Sequence, residues 1–143
     1  MPIIIARAKV SDGKAIIELA QRVWREKVST IYETAILIRL GYAFVAKDKG
    51  KIAGSILAMR TVDGCVYVND WVVDRKYRRL GVGTKLYKRL MAAVGDFPII
   101  SYVRTDFKES VAAHRKMGFK FVKKVKDPYG IGEKVPRYLV RLD

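Results

Sequence analysis

The chain has 143 residues, 50% of them hydrophobic, with 29 Lys+Arg against 14 Asp+Glu and a formal net charge of +15. That length supports a buried core, that hydrophobic share excludes a disordered chain, and that charge favours anionic partners without naming a fold. One cysteine, Cys65, and one histidine, His114, exclude an internal disulfide and leave no ligand set for a metal. The order of elements follows from pattern. "PIIIARAKV" (2–10) is rich in β-branched residues and reads as a strand. A helix over 11–28 follows, with Ser11 or Asp12 available as its cap and Ile16, Leu19, Ala20, Val23 and Trp24 at helical spacing. A second helix is predicted over 29–40, ending near Gly41.

Two turn signals, Asp48-Lys49-Gly50 and Val62-Asp63-Gly64, then separate three apolar runs. These predict an antiparallel meander at 42–47, 51–60 and 65–73. Cys65 lies in this apolar stretch and reads as a small core residue. Leu86, Tyr87, Leu90, Met91 and Val94 share one face of a helix over about 82–94, stopped by Gly95. "FPIISYVRT" is a strand. Asp106 and Glu109 are the expected capping pair of a helix over about 107–117, ended by Gly118. "FKFVKKV" and "RYLVRLD" are the last strands. No repeat, linker or low-complexity tract divides the chain, so a single domain over 1–143 is expected. The order β-α-α-β-β-β-α-β-α-β-β implies a mixed sheet with helices on its faces, an α/β (α+β) layered fold. The strands at 65–73 and 97–104 are joined through a helix, so they should be parallel neighbours.

The stretch "VDRKYRRLGVGTKLYKRL" (73–90) carries seven Lys/Arg and, after Asp74, no acid. Its Gly81 and Gly83 sit where a helix begins. Unpaired amides of a first helical turn, the helix dipole and side chains without Cβ together let a phosphate approach backbone closely. Arg78, Arg79 and Lys85 supply charge around that point. The pattern lacks the third glycine of a dinucleotide fingerprint and the spacing of a Walker loop. A tight strand-to-helix turn is the plainer reading of the same residues.

"VVDRKYRRLGVGTKLYKRLM", followed by "AAHRKMGFKFV", resembles the GNAT superfamily of acetyl-CoA-dependent N-acetyltransferases. That family's pyrophosphate signature, Gln/Arg-x-x-Gly-x-Gly/Ala, is matched by Arg78, Gly81 and Gly83. Val73, Tyr77 and the closing Gly118-Phe119 also fall where the family has them, and the element order agrees along nearly the whole chain. The resemblance implies the GNAT fold, with the fourth and fifth strands splayed around acetyl-CoA as cosubstrate. It implies that backbone around Arg79, Leu80, Gly81, Val82, Gly83 and Thr84 cradles the pyrophosphate. Trp71, Val72 and Val73 would bond the pantetheine and polarise the thioester carbonyl. The reaction it implies is direct attack by a neutral amine.

Three positions depart from many relatives. A strand Glu is replaced by Tyr102, a helix-start Asn by Phe107, and a Tyr four residues before the closing Gly-Phe by His114. His114 stands where that Tyr often protonates the coenzyme A thiolate, and its plainer reading is a packed helix residue. Tyr102 is a poor base at its ordinary pKa of roughly 10, unless positive charge lowers it. Tyr67 lies on the fourth strand where some histone acetyltransferases carry a catalytic Glu and some protein N-terminal acetyltransferases a Tyr. "VNDWVV" resembles "Glu-Asp-Phe-Phe-Val" of spermidine/spermine-type acetyltransferases and places Asp70 on the Asp that holds the substrate amine. Asn69 replaces the neighbouring Glu, so polyamine specificity does not follow.

In the family the first two helices and the last loop shape the acceptor site. Here those segments contain Trp24, Tyr32, Glu33, Tyr129 and Tyr138. The acceptor expected is a protein or peptide amine, or a small amine. The basic runs 75–89 and 115–126 admit a nucleic-acid-binding module, but no recognition signature accompanies them. A relative that binds acyl-CoA without catalysis is a third reading, suggested by the three departures. No membrane-spanning run or leader is visible, so a cytoplasmic monomer or homodimer is expected.

Overall fold

The computed structural model describes residues 2–24 and 29–143. They form two compact units, one drawn from the chain up to Arg60 and from Val68–Gly95, the other from Thr61–Tyr67 and Asp96–Asp143.

In the first unit β1 (Ile4–Arg7) pairs antiparallel with β2 (Tyr42–Asp48), and β2 with β3 (Lys51–Arg60). The Lys49-Gly50 corner has both residues at positive φ, 50° and 82°, as a two-residue hairpin turn requires. β1 is shorter than its apolar run predicts. A 3-10 turn over Val10–Asp12 follows it, and the Lys9 amide donates to Asp12 Oδ2 at 2.8 Å. Asp12 therefore closes this turn instead of capping α1 (Gly13–Trp24). The last part of the predicted helix, residues 25–28, lies outside the described residues. α2 (Ile31–Leu40) opens on Thr30, whose hydroxyl accepts from the Glu33 amide at 3.2 Å.

Strand alternation decides which helix covers which face. Ala43, Val45 and Leu57 pack with Ile16 of α1 and with Leu37 and Ile38 of α2. Phe44 points the other way, under the Arg89 guanidinium of α3 (Val82–Val94), 5.0 Å from its ring centroid. Leu19, Ala20 and Val23 of α1 pack on Val72 of β4 (Val66–Val73). A fully buried Val or Leu of this kind stabilises by roughly 1.5–3 kcal/mol.

The second unit takes the first two residues of β4, which pair in parallel with β5 (Ile99–Arg104) as Val66↔Ile99 and Tyr67↔Ile100. β7 (Arg137–Leu142) lies antiparallel between β5 and β6 (Lys120–Val125). The parallel pairing of β4 and β5 is as expected. The capping pair is not. α4 (Lys108–Lys116) starts at Phe107 with no side-chain cap, because Asp106 turns back to hold Arg104 through two bonds of 2.9 and 2.7 Å. A bidentate guanidinium pair outcompetes a single amide for the carboxylate.

Candidate active site

The first unit builds its site from the end of β4 and the start of α3. Asp74 ends the strand. One of its oxygens accepts from the Lys76 amide at 3.1 Å and the other from Arg22 of α1 at 3.0 Å. Partial desolvation raises the Asp74 pKa, but the amide and the guanidinium outweigh it and hold it below the ordinary carboxylate range. Three residues on, the Tyr77 hydroxyl donates to Asp48 Oδ2 at 2.5 Å. Asp48 is only 5% exposed, so Tyr77 pins the loop to the end of β2. That bond, ahead of desolvation, raises the Tyr77 pKa. Arg78 folds back, its Nε donating to the Val73 carbonyl at 3.4 Å.

The chain then turns through Arg79 at φ 64° and Gly81 at φ 77° into α3. Gly81 is the N-cap residue, and the first intrahelical acceptor is its carbonyl, bonded to the Lys85 amide at 3.0 Å. The amides of Val82, Gly83 and Thr84 thus open the helix without intrahelical acceptors. A Cβ on Gly81 would have nothing within 4 Å. Gly83 is different. A Cβ there would lie 2.9 Å from Trp71 Cζ2, and its carbonyl accepts from Trp71 Nε1 at 3.1 Å. The indole also meets the Tyr87 ring edge-on at 4.8 Å. The two glycines therefore do separate things: Gly81 makes the corner, and Gly83 seats the indole.

All ten residues expected to hold the cosubstrate lie on this segment of β4, loop and helix start. The side chains of Trp71 and Val72 are committed to packing, Val72 at 1% exposure, which leaves the strand its backbone to offer. Asp70 is half-buried on the same strand. Burial pushes its pKa up to about 6, against hydrogen bonds from the Trp24 side chain and the Trp71 amide that pull it down. Trp24 as the partner of Asp70, and Asp48 as the anchor of Tyr77, were not legible in the sequence.

The second unit gathers three tyrosines. The hydroxyls of Tyr67 and Tyr129 share a hydrogen bond of 2.8 Å. The Tyr102 ring lies 6.0 Å from each of their rings. Arg137, locked to Glu133 by bonds of 2.9 and 2.7 Å, places its guanidinium 4.9 Å from the Tyr129 centroid. Burial first, and then the Tyr129 bond, drives the Tyr67 pKa well above the ordinary phenol value. Tyr67 therefore stays protonated at any working pH. The β6–β7 loop that carries Tyr129 is tied by Asp127, which accepts from the amides of Ile131, Gly132 and Glu133 at 2.9, 2.9 and 3.1 Å. Tyr138 packs apart from that group, edge-on to Phe121 at 5.1 Å.

His114 is 2% exposed. Its Nδ1 lies 2.7 Å from the Ser110 carbonyl, which only accepts, so Nδ1 carries the proton. Burial lowers its pKa despite that bond, so the ring is neutral at pH 7. It meets Phe119 edge-on at 5.0 Å. Cys65 is 6% exposed, as a core residue. Among the described residues no group of three or more His, Cys, Asp and Glu is placed to hold a metal ion. No helix among them is long and apolar enough to cross a membrane.

Solved structures share the fold over full length. Ard1 from Thermoplasma volcanium superposes with a TM-score of 0.88 at 20% identity, covering 99% of this chain and 97% of its own. The ribosomal-protein-S18-alanine N-acetyltransferase from Escherichia coli gives 0.83 at 19%, covering 99% and 93%. Naa50 from Arabidopsis thaliana, in complex with the bisubstrate analogue CoA-Ac-MVNAL, gives 0.83 at 17%, covering 100% and 99%. No curated protein sequence matches the chain. Residues 14–119, from the second residue of α1 to just past α4, match the acetyltransferase (GNAT) family, and the chain accordingly belongs to that family of acetyl-CoA-dependent N-acetyltransferases.

Proposed function

We propose that the acceptor of this acetyltransferase is the amine of a protein or peptide. The observation that carries this reading is the Tyr67–Tyr129 hydroxyl pair at 2.8 Å, which joins β4 to a loop that Asp127 and the Arg137–Glu133 pair hold in shape. Phenols with an apolar body and a hydrogen-bonding tip suit the amides of an extended peptide. Two of the solved relatives lend support. One is a ribosomal-protein alanine N-acetyltransferase, and the other is in complex with a coenzyme A–peptide conjugate.

We assign the diphosphate of acetyl-CoA to the mouth of α3. The residues fit that group. Gly81 leaves its surroundings open, the amides of Val82, Gly83 and Thr84 open the helix, and Arg79 is exposed beside them. The β4 backbone from Trp71 to Val73 is assigned to the pantetheine and the acetyl carbonyl. Acetyl-CoA supplies the acetyl group already activated as a thioester. The acceptor nitrogen has to lose a proton around its attack, and the departing thiolate has to gain one. Asp70, with a pKa of about 6, is charged at pH 7 and takes the first task, directly or through a water. The second proton comes from water, because Tyr67, which holds its proton at any working pH, cannot give it up. His114, neutral and bonded to Ser110, offers no resting imidazolium for it.

A small amine is the second reading, favoured by the half-buried Asp70 carboxylate, which suits an ammonium ion. The test is a turnover screen with acetyl-CoA over α-amino peptides, lysine peptides, polyamines and monoamines. Peptide turnover that exceeds the small amines in kcat/KM is the expected result. Turnover confined to small amines would replace the first reading with the second.

A further inference from the structure

We infer that Trp24, in the last described turn of α1, is a positioning residue that holds the Asp70 carboxylate toward the acceptor amine. The inference rests on the reading of Asp70 given above. Strand geometry places the pair. Val72 packs on Leu19, Ala20 and Val23 of α1, and Trp24 borders the same cluster. Side chains two apart on a strand share a face, so Asp70 projects to the α1 side. Trp71, between them, projects to α3, where its indole meets Gly83 and Tyr87. The Trp24 side chain hydrogen-bonds Asp70 from α1, and the Trp71 amide adds a second bond.

The chemistry of the indole suits this task. Its N–H is one donor with no acceptor, so it aims a carboxylate oxygen without taking its proton. It is also uncharged. An arginine at the same place would form an ion pair and hold the carboxyl far below neutrality. Among the described residues the influences on Asp70 are its burial, the Trp24 side chain and the Trp71 amide, with no charged group among them. Arg22, two residues before Trp24, is engaged by Asp74 instead. A carboxylate has about four acceptor sites, so two donors leave room for an ammonium.

The experiment compares Trp24→Phe, which keeps a ring and removes the N–H, with Asp70→Asn. Loss of a donor to the charged form raises the Asp70 pKa, so the acid limb of kcat/KM should move to higher pH. At pH 6 the loss should be about three- to fivefold, as expected for a pKa rise worth one net hydrogen bond, and at pH 8.5 clearly less. Acetyl-CoA affinity by calorimetry should match wild type, and acceptor KM should rise. Asp70→Asn should abolish the acid limb. If Asp70→Asn keeps wild-type rates and profile, the reading of Asp70 itself fails. If Asp70→Asn loses activity while Trp24→Phe keeps the wild-type profile and KM, only the inference about Trp24 fails. A second measurement needs no Trp24 variant. The chain has two tryptophans and hence two indole N–H signals. One should titrate with a midpoint near 6 in wild type and stay flat in Asp70→Asn. Two flat signals between pH 5 and 8 would overturn the inference.

Discussion

Gly81 and Gly83 look interchangeable in a Gly-x-Gly motif, yet physics separates them. At Gly81 a methyl group meets nothing, and only the left-handed backbone at φ 77° resists it. Gly81→Ala should therefore cost about 1–2 kcal/mol of stability, the ordinary penalty of that region for an L-residue. At Gly83 the methyl meets Trp71 Cζ2 at 2.9 Å and Val73 Cγ2 at 3.3 Å. The indole has to leave, and its bond to the Gly83 carbonyl goes with it. Gly83→Ala should cost about 1–3 kcal/mol by overpacking, with a changed tryptophan emission that Gly81→Ala does not show. Denaturant titration followed by fluorescence distinguishes them; identical emission from both variants would refute the assignment of Gly83 to packing. Tyr77 offers a third single-site test. Its hydroxyl is bonded to a carboxylate that is 5% exposed, and Asp48 Oδ1 has no partner among the described residues. Tyr77→Phe should destabilise by about 1–3 kcal/mol, because it strips the donor from the other buried oxygen. A stability change within experimental error would mean that solvent reaches Asp48.

At the scale of elements, the β6–β7 loop depends on one carboxylate. Three amides converge on Asp127 and hold its pKa below the ordinary value, those of Gly132 and Glu133 contributing most. A lowered folded-state pKa means that the ordering is complete above the ordinary carboxylate pKa of roughly 3.9 and is lost as pH falls through the folded value. Amide exchange at Ile131, Gly132 and Glu133 should accordingly be slow at pH 7. It should accelerate relative to β7 as the solution is acidified below that range. In Asp127→Ala it should be fast at every pH, and unchanged protection would remove Asp127 as the organiser of the loop. This loop shows where sequence stops being informative. The helix over 82–94 was legible residue by residue, since a repeating apolar face and a following Gly95 record it locally. The three-strand meander was legible from two turn signals. The long-range contacts within each unit leave no such record. Tyr67 and Tyr129 stand 62 positions apart, and Tyr77 and Asp48 stand 29 apart. Trp24 and Asp70 lie on elements joined only by packing. Even a local pattern misled at Asp106, where Arg104, two residues back on β5, competes for the carboxylate and wins.

For the molecule as a whole the charge of +15 is the largest quantity not spent on the fold. Part of it guards an edge. β6 carries Lys120, Lys123 and Lys124 exposed on the outer strand, where bare ladder groups would otherwise invite another chain. The remainder acts at a distance, and distance makes it sensitive to salt. The Debye length is about 30 Å at 0.01 M and about 10 Å at 0.1 M, so most surface charge reaches an approaching peptide only in dilute buffer. An acidic acceptor peptide should therefore show a KM that climbs steeply between those salt concentrations, while a neutral peptide of the same length changes little. A charge attraction that acts before contact alters encounter more than chemistry, so kcat should stay nearly constant for both. Acetyl-CoA, itself anionic, should weaken with salt as well, and the peptide series has to be run at saturating cosubstrate to separate the two. Equal salt dependence for acidic and neutral peptides would mean that the positive surface serves solubility alone. The acceptor would then be selected by short-range contacts alone, without help from the field.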